Sequence, residues 1–379
     1  MPFTSLGLAP ALQKAAAAAG FSNPTPIQGE AIPAILAGND VLGIARTGSG
    51  KTAGYVLPIV HHLRSIEAPR HREPVVLVLV PTRELAHQVS KVFESFLPAI
   101  TPRLSCLAIT GGSSVNTQMR TIGRAAIVVA TPGRLLELIG KNAVKLSSIT
   151  TLVLDEADKM LHLGFKDEVD RILALLPANR QNLLFSATLS EPVKHIRQLL
   201  LRDPHVIEIP EDETADTIHQ IAYLVPEIKK GPLLRYLIKH GNLSQVLVFA
   251  SSTAQVDRVV NKLIKNKIEA GAMHSKLSPQ TRLHHLEQFK AGEMRVLVST
   301  DLLARGIDID FLPCVINYEL PRSPKDYVHR IGRTGRADHP GDAISLVSPE
   351  EMDHFKLIQK KTGKRVTLLH GDAIDVRGC

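Results

Sequence analysis

A chain of 379 residues, 44% hydrophobic and 22% charged, has the length of two ordinary domains and enough apolar residues to give each a core. Charged or polar residues interrupt every apolar run, which excludes a membrane-spanning helix, and the three distant cysteines (Cys106, Cys314 and Cys379) exclude a disulfide framework and a cysteine zinc site. The formal charge of +8 favours a polyanionic partner, and with no tryptophan and only 4% aromatic residues that partner is expected to be held by its backbone rather than by stacked bases.

The N-terminal stretch MPFTSLGLAPALQKAAAAAG lacks a basic start and a long apolar run, so no secretion signal is read there; the alanines at 15–19 are predicted to be helical. A reducing, cytoplasmic setting fits the cysteine usage. Strands are then predicted at 41–45, 75–80, 104–109, 126–130, 152–155, 183–186 and 206–209. Helix-period segments separate most of them, for example RELAHQVSKVFESFL at 83–97. The strands are rich in Val, Ile and Leu without polar alternation, as in a mostly parallel α/β sheet covered on both faces. The acidic stretch PEDETADT follows, and the pattern restarts with strands at 221–225, 246–249, 295–299, 314–317 and 343–347. The expected organisation is an α/β domain at 1–209, a linker at 210–218 and a second α/β domain at 219–379.

Chemistry is expected at the carboxyl ends of the strands, where open α/β sheets bind ligands. The first strand runs into Arg46, Thr47, Gly48, Ser49, Gly50, Lys51 and Thr52. The two glycines let the backbone wrap an anion, Lys51 reaches phosphates, the Thr52 hydroxyl suits Mg²⁺, and a helix beginning near Lys51 aims its amides at the same group. The strict phosphate-loop pattern opens with glycine where this chain has Ala45. The strand TLVL at 151–154 ends on Asp155, Glu156 and Asp158, three carboxylates that repel one another unless a cation answers them. Lys51 and a metal held by Asp155 and Thr52 supply that charge, and Glu156 is placed to polarise a water for attack on a γ-phosphate. An exposed acidic helix start is the bland alternative. Adjacent histidines, His61–His62 and His284–His285, do not share a helix face and read as solvent-facing rather than as metal ligands.

The ordered set FSNPTPIQ, ARTGSGKT, PTRELA, GG, TPGR, DEAD, SAT, VFASS, STDLLARGID and HRIGRTGR resembles the DEAD-box RNA helicases over nearly the whole chain, and the short N-terminus looks most like the bacterial RhlE type without its basic tail. The resemblance implies two tandem RecA-like domains and an RNA-stimulated ATPase that locally unwinds short duplexes. An ATP-gated RNA clamp is the alternative. ATP and Mg²⁺ are the implied cofactors, RNA the implied partner, and a monomer the implied state. Gln28, with Phe3 or Phe21 stacking nearby, is implied to read adenine, and Asp308 to join the nucleotide site. Asp158, Ser186, Thr188 and His329 are implied to couple the motifs. Pro81, Thr82, Arg83, Gly111, Gly112, Thr131, Pro132, Gly133 and Arg134 in the first half are implied to hold the RNA backbone, with Ser251, Thr300, Asp301 and Gly306 in the second. Arg333 and Arg336 are implied to neutralise the transferred phosphate. Pro279 stands where the family often has glutamine ahead of Arg282, a departure that bears on one supporting contact at that edge and not on the activity.

Overall fold

The computed structural model describes residues 2–45, 48–66, 72–210, 218–241, 243–301, 312–335 and 340–376. The chain divides into two compact units, Met1–Glu211 and Asp212–Cys379. The first holds the strands β1 (Val41–Ile44), β2 (Val76–Leu79), β3 (Cys106–Ile109), β4 (Ile127–Ala130), β5 (Thr151–Leu154), β6 (Gln181–Ser186) and β7 (His205–Glu208). They form one parallel sheet in the order β3-β4-β2-β5-β6-β1-β7. The second unit holds β8 (Ile218–Leu224), β9 (Val246–Phe249), β10 (Ala270–Met273), β11 (Val296–Ser299), β12 (Cys314–Asn317), β13 (Gly341–Val347) and β14 (Thr367–His370). Its parallel order is β10-β11-β9-β12-β13-β8-β14, the first order repeated strand for strand. Two RecA-like units are thus built on one plan.

Alternation along each strand divides the core between two faces. In the first unit Val76, Val78, Val153, Leu183 and Phe185 pack on one side, and Leu77, Leu79, Leu152, Leu154 and Leu184 on the other. The second sheet repeats this with Val246, Val248, Val296 and Val298 against Leu247, Phe249 and Leu297. Helices cover both faces, so uninterrupted apolar strands are what the layers require. Two strands escape the sequence pattern. β10 reads Ala-Gly-Ala-Met and lacks β-branched residues, while β14 lies at the sheet edge with every residue exposed.

Strand order decides which loops meet. β5, β6 and β1 are successive neighbours, so the segments after Leu154, Ser186 and Ile44 emerge side by side. In the second unit β11, β9 and β12 do the same for the segments after Ser299, Phe249 and Asn317.

The loop that carries Arg333 is held against β13 by a glycine. A Cβ at Gly341 would fall 1.9 Å from Thr334 Oγ1 and 2.7 Å from the Gly335 nitrogen. Thr334 in turn donates its hydroxyl to the Leu312 carbonyl. Gly341→Ala is expected to destabilise the second unit by about 1–3 kcal/mol through overpacking. Urea unfolding followed by tyrosine fluorescence reads this directly, because four of the five tyrosines (Tyr223, Tyr236, Tyr318 and Tyr327) lie in that unit. An unchanged midpoint would contradict the tight fit.

Candidate functional site

The turn after β1 is built from backbone that favours glycine, with Gly48 at φ 79° and Gly50 at φ 90°. Gly50 caps the helix Lys51–Leu63, and a Cβ there would sit 2.4 Å from Gln28 Nε2. Lys51 is 6% exposed and donates its Nζ to the Ala45 carbonyl, which folds the ammonium over the loop. Ser49 and Thr52 lie in the same turn.

Gln28 is buried and ties its own helix, Pro26–Leu36, to this loop. Its Nε2 donates to the Gly50 carbonyl at 3.0 Å, and its Oε1 accepts from the Thr25 nitrogen at 3.0 Å in a capping box. One amide hydrogen and one lone pair remain for a base edge. Phe3, expected as a stacking ring, is instead 5% exposed and belongs to the hydrophobic core, its edge set on Phe21 at 6.2 Å between centroids. Its place in the first turn after Pro2 buries it under the N-terminal helix, leaving the half-buried Phe21 with the more open ring.

At the end of β5, Asp155 and Glu156 are 2% and 5% exposed. Burial, opposed by Lys51 and reinforced by Glu156, pushes the Asp155 carboxyl up to about 6. Asp155 Oδ2 accepts from the Tyr55 hydroxyl at 2.8 Å, and its Oδ1 accepts from the Glu156 nitrogen at 2.9 Å. Thr52 stands three residues before Tyr55 in the same helix. Tyr55 therefore holds one of the two residues expected to bind a metal. It was missed in the sequence, although it stands four residues, about one helical turn, beyond Lys51. Glu156 adopts φ 52° and ψ 46°, a left-handed conformation costing a non-glycine residue roughly 1–2 kcal/mol. Its Oε1 accepts from Lys159 Nζ at 2.6 Å. Hard oxygen donors crowded at a buried strand end, with charge left over from Lys51, suit Mg²⁺. No cluster of three or more His, Cys, Asp or Glu ligands occurs among the described residues, so a bound metal would have to complete its shell with phosphate and water.

The third helix-start carboxylate, Asp158, bridges to β6. Its Oδ2 accepts from the Thr188 hydroxyl at 3.2 Å, and its Oδ1 from the Ala187 nitrogen at 3.5 Å, while Ser186 donates to the Thr188 carbonyl at 2.8 Å. Asp158, Ser186 and Thr188 are thus brought together by hydrogen bonds.

The loops expected to hold RNA divide into exposed and committed parts. Gly112 and Gly133 are exposed, and Gly111 lies against the Arg83 guanidinium, 3.2 Å from where a Cβ would stand. Pro81, Thr131 and Pro132 are buried, and Thr82 caps its helix by accepting from the Leu85 nitrogen at 3.2 Å. Arg134 is engaged within its own unit. It donates to the Ser113 carbonyl at 2.9 Å and to Gln118 Oε1 at 3.0 Å, and it pairs with Glu137 at 3.0 Å. Gln118 also donates to the Thr110 carbonyl at 3.0 Å, so Arg134 and Gln118 together brace the glycine loop from within.

In the second unit the organising side chain is Arg330, which is 2% exposed. It grips both oxygens of Asp301 at 2.5 and 2.7 Å, donates to Asn317 Oδ1 at 2.9 Å and to the Glu319 carbonyl at 2.7 Å, and lies 4.9 Å over the Phe249 ring. Asp301 therefore has both carboxylate oxygens engaged by this arginine. Thr300 and His329 are half-buried, Ser251 is exposed, and Arg333 is 5% exposed. Arg46, Thr47, Gly306, Asp308 and Arg336 lie outside the described residues.

Two family models match the chain: DEAD/DEAH box helicase over residues 25–196 and Helicase conserved C-terminal domain over 229–338. It is similar to the ATP-dependent RNA helicase CshA of Listeria monocytogenes (39% identity over 98% of this chain and 71% of that protein). It is also similar to the DEAD-box ATP-dependent RNA helicase CshA of Geobacillus kaustophilus (36%, over 98% and 79%). Among solved structures it matches S. cerevisiae Dbp5 bound to RNA and ADP BeF3 with a TM-score of 0.85, at 30% identity over 98% of this chain and 96% of that one. A DEAD box protein from Methanococcus jannaschii matches with a TM-score of 0.56, at 34% identity over 97% and 99%. With its two RecA-like sheets and its strand-end motifs in place, the chain belongs to the DEAD-box RNA helicase family.

Proposed function

We propose that this chain is an ATP-dependent RNA helicase whose phosphate chemistry is centred on Lys51, Asp155 and Glu156. The observation that carries this reading is the burial of Asp155 and Glu156 beside a phosphate-loop lysine, with Asp155 held by Tyr55 of the helix that the loop opens. Gly48, Ser49 and Gly50 would present backbone amides to the phosphates, with Lys51 turning from the Ala45 carbonyl to reach them. Thr52 and Asp155 would hold Mg²⁺, whose chemical contribution is to neutralise charge on the β- and γ-phosphates. Gln28 would give its remaining donor and acceptor to adenine, with Phe21 as the stacking ring, and Arg46, Thr47 and Asp308 are assigned to the nucleotide by motif alone.

Glu156 is the assigned base. Its backbone is left-handed where the strand ends, and Lys159 holds one oxygen in place. Asp158 would carry the state of the phosphate site to Ser186 and Thr188, whose loop follows the neighbouring strand. RNA would be gripped through its sugar-phosphate backbone by Pro81, Thr82, Arg83, Gly111, Gly112, Thr131, Pro132 and Gly133 in the first unit. Ser251, Thr300 and Gly306 would grip it in the second, with Arg134 and Asp301 as braces. Arg333 and Arg336 are assigned the neutralisation of the transferred phosphate, with His329 beside them. Arg333 would have to leave its covered place to do so. The N-terminal sequence MPFTSLGL supports an RhlE-type assignment within the family, a monomer in the cytoplasm being the matching state.

A strand-displacement assay tests the function. A short RNA duplex is expected to separate with ATP and not with ADP, and single-stranded RNA but not DNA to raise ATP turnover. Turnover indifferent to RNA would contradict the assignment. Glu156→Gln keeps the size of the side chain while removing the base. Its single-turnover hydrolysis rate is expected to fall roughly 10²–10⁴-fold with ATP and RNA binding retained. Lost ATP binding would make Glu156 structural instead.

A further inference from the structure

β9 and β12 are neighbours in the second sheet, so the residues just after them lie together: the Tyr318 nitrogen donates to the Phe249 carbonyl at 3.0 Å. At this corner Ser251 turns both of its donors onto one oxygen. Its backbone nitrogen and its hydroxyl each approach Glu319 Oε2 at 2.6 Å. Both are short, charge-assisted hydrogen bonds from neutral donors. The Glu319 backbone is fixed from the other side, its carbonyl accepting from Arg330 at 2.7 Å, while Arg330 commits its remaining charge to Asp301. The main chain of Glu319 is therefore anchored, and the residue is half-buried, its carboxylate held at this corner by the Ser251 donors.

An N–H and an O–H converging on a single anionic oxygen form the arrangement that a non-bridging phosphate oxygen of RNA would accept. Resting on the reading that Ser251 contacts the RNA backbone, we propose that Glu319 is a built-in competitor for that phosphate. Its carboxylate occupies the Ser251 donors until RNA displaces it by rotation of the side chain. Displacement costs the two hydrogen bonds and leaves a negative charge near the arriving phosphate, so the second unit engages RNA weakly until other contacts supply the difference. Glu319 thereby sets how far RNA binding depends on the rest of the molecule.

Fluorescence anisotropy with labelled, mixed-sequence single-stranded RNA, without nucleotide, tests this on the full chain. Glu319→Gln, which keeps the shape, and Glu319→Ala, which empties the place, should both tighten the dissociation constant roughly 5- to 20-fold, as expected for release of charge-assisted bonds at a partly exposed site. Ser251→Ala should weaken binding, and in that background Glu319→Ala should give a much smaller gain, because only the backbone donor remains to be released. Equal or weaker binding by both Glu319 variants would overturn the proposal and make Glu319 a support for Ser251. An undiminished gain in the Ser251→Ala background would also overturn it, by assigning the effect to general charge. If Ser251→Ala alone binds as tightly as the unmodified chain, the assignment of Ser251 to RNA fails, and the proposal with it.

Discussion

Two carboxylates buried at the end of an apolar strand are the constraint around which the first unit is arranged. Burial, with a smaller contribution from the neighbouring Glu156, holds the Asp155 carboxyl above its ordinary range. Lys51 lowers the cost from one side, Tyr55 satisfies an oxygen from the next turn of the same helix, and Lys159 secures Glu156. The left-handed backbone at Glu156 is backbone strain of the kind that persists only where its surroundings hold it. β5, β6 and β1 stand side by side, so the carboxylates, the Ser186–Thr188 loop and the phosphate loop share one edge.

The second unit repeats the strand order without repeating this chemistry. The end of β8 corresponds in order to the end of β1, yet no phosphate loop follows it. The helix Glu227–His240 buries Lys230 completely and pairs it with Glu227 at 3.0 Å and Glu351 at 2.7 Å. A lysine satisfied by two carboxylates is a structural plug, costly to break and poorly placed to receive phosphate. The polar chemistry moves instead to the ends of β9, β11 and β12, where Arg330 gathers Asp301, Asn317 and the Glu319 backbone. One plan thus serves a phosphate site in one unit and a network of arginine and carboxylate contacts in the other.

Strands made of Val, Ile and Leu were legible because burial on both faces demands them, and the phosphate loop because φ values near 80–90° demand glycine. β10 and β14 were not, since neither a small-residue strand nor an exposed edge strand leaves that pattern. Partner choice was harder still. Phe3, Arg134 and Asp301 carry the right chemistry for base, phosphate or ribose, but tertiary neighbours many residues away take them up first. Tyr55, Gln118 and Glu319 act by bridging elements, which no local spacing reveals.

The direct test of the buried carboxylate pair as a metal-phosphate site is equilibrium binding of a fluorescent ATP analogue with and without Mg²⁺, in the unmodified chain and in Asp155→Asn. Mg²⁺ is predicted to tighten binding in the unmodified chain and to lose most of that effect in the variant, while metal-free binding through Lys51 and the loop amides persists. The same Mg²⁺-dependent gain in both proteins would contradict a metal role for Asp155.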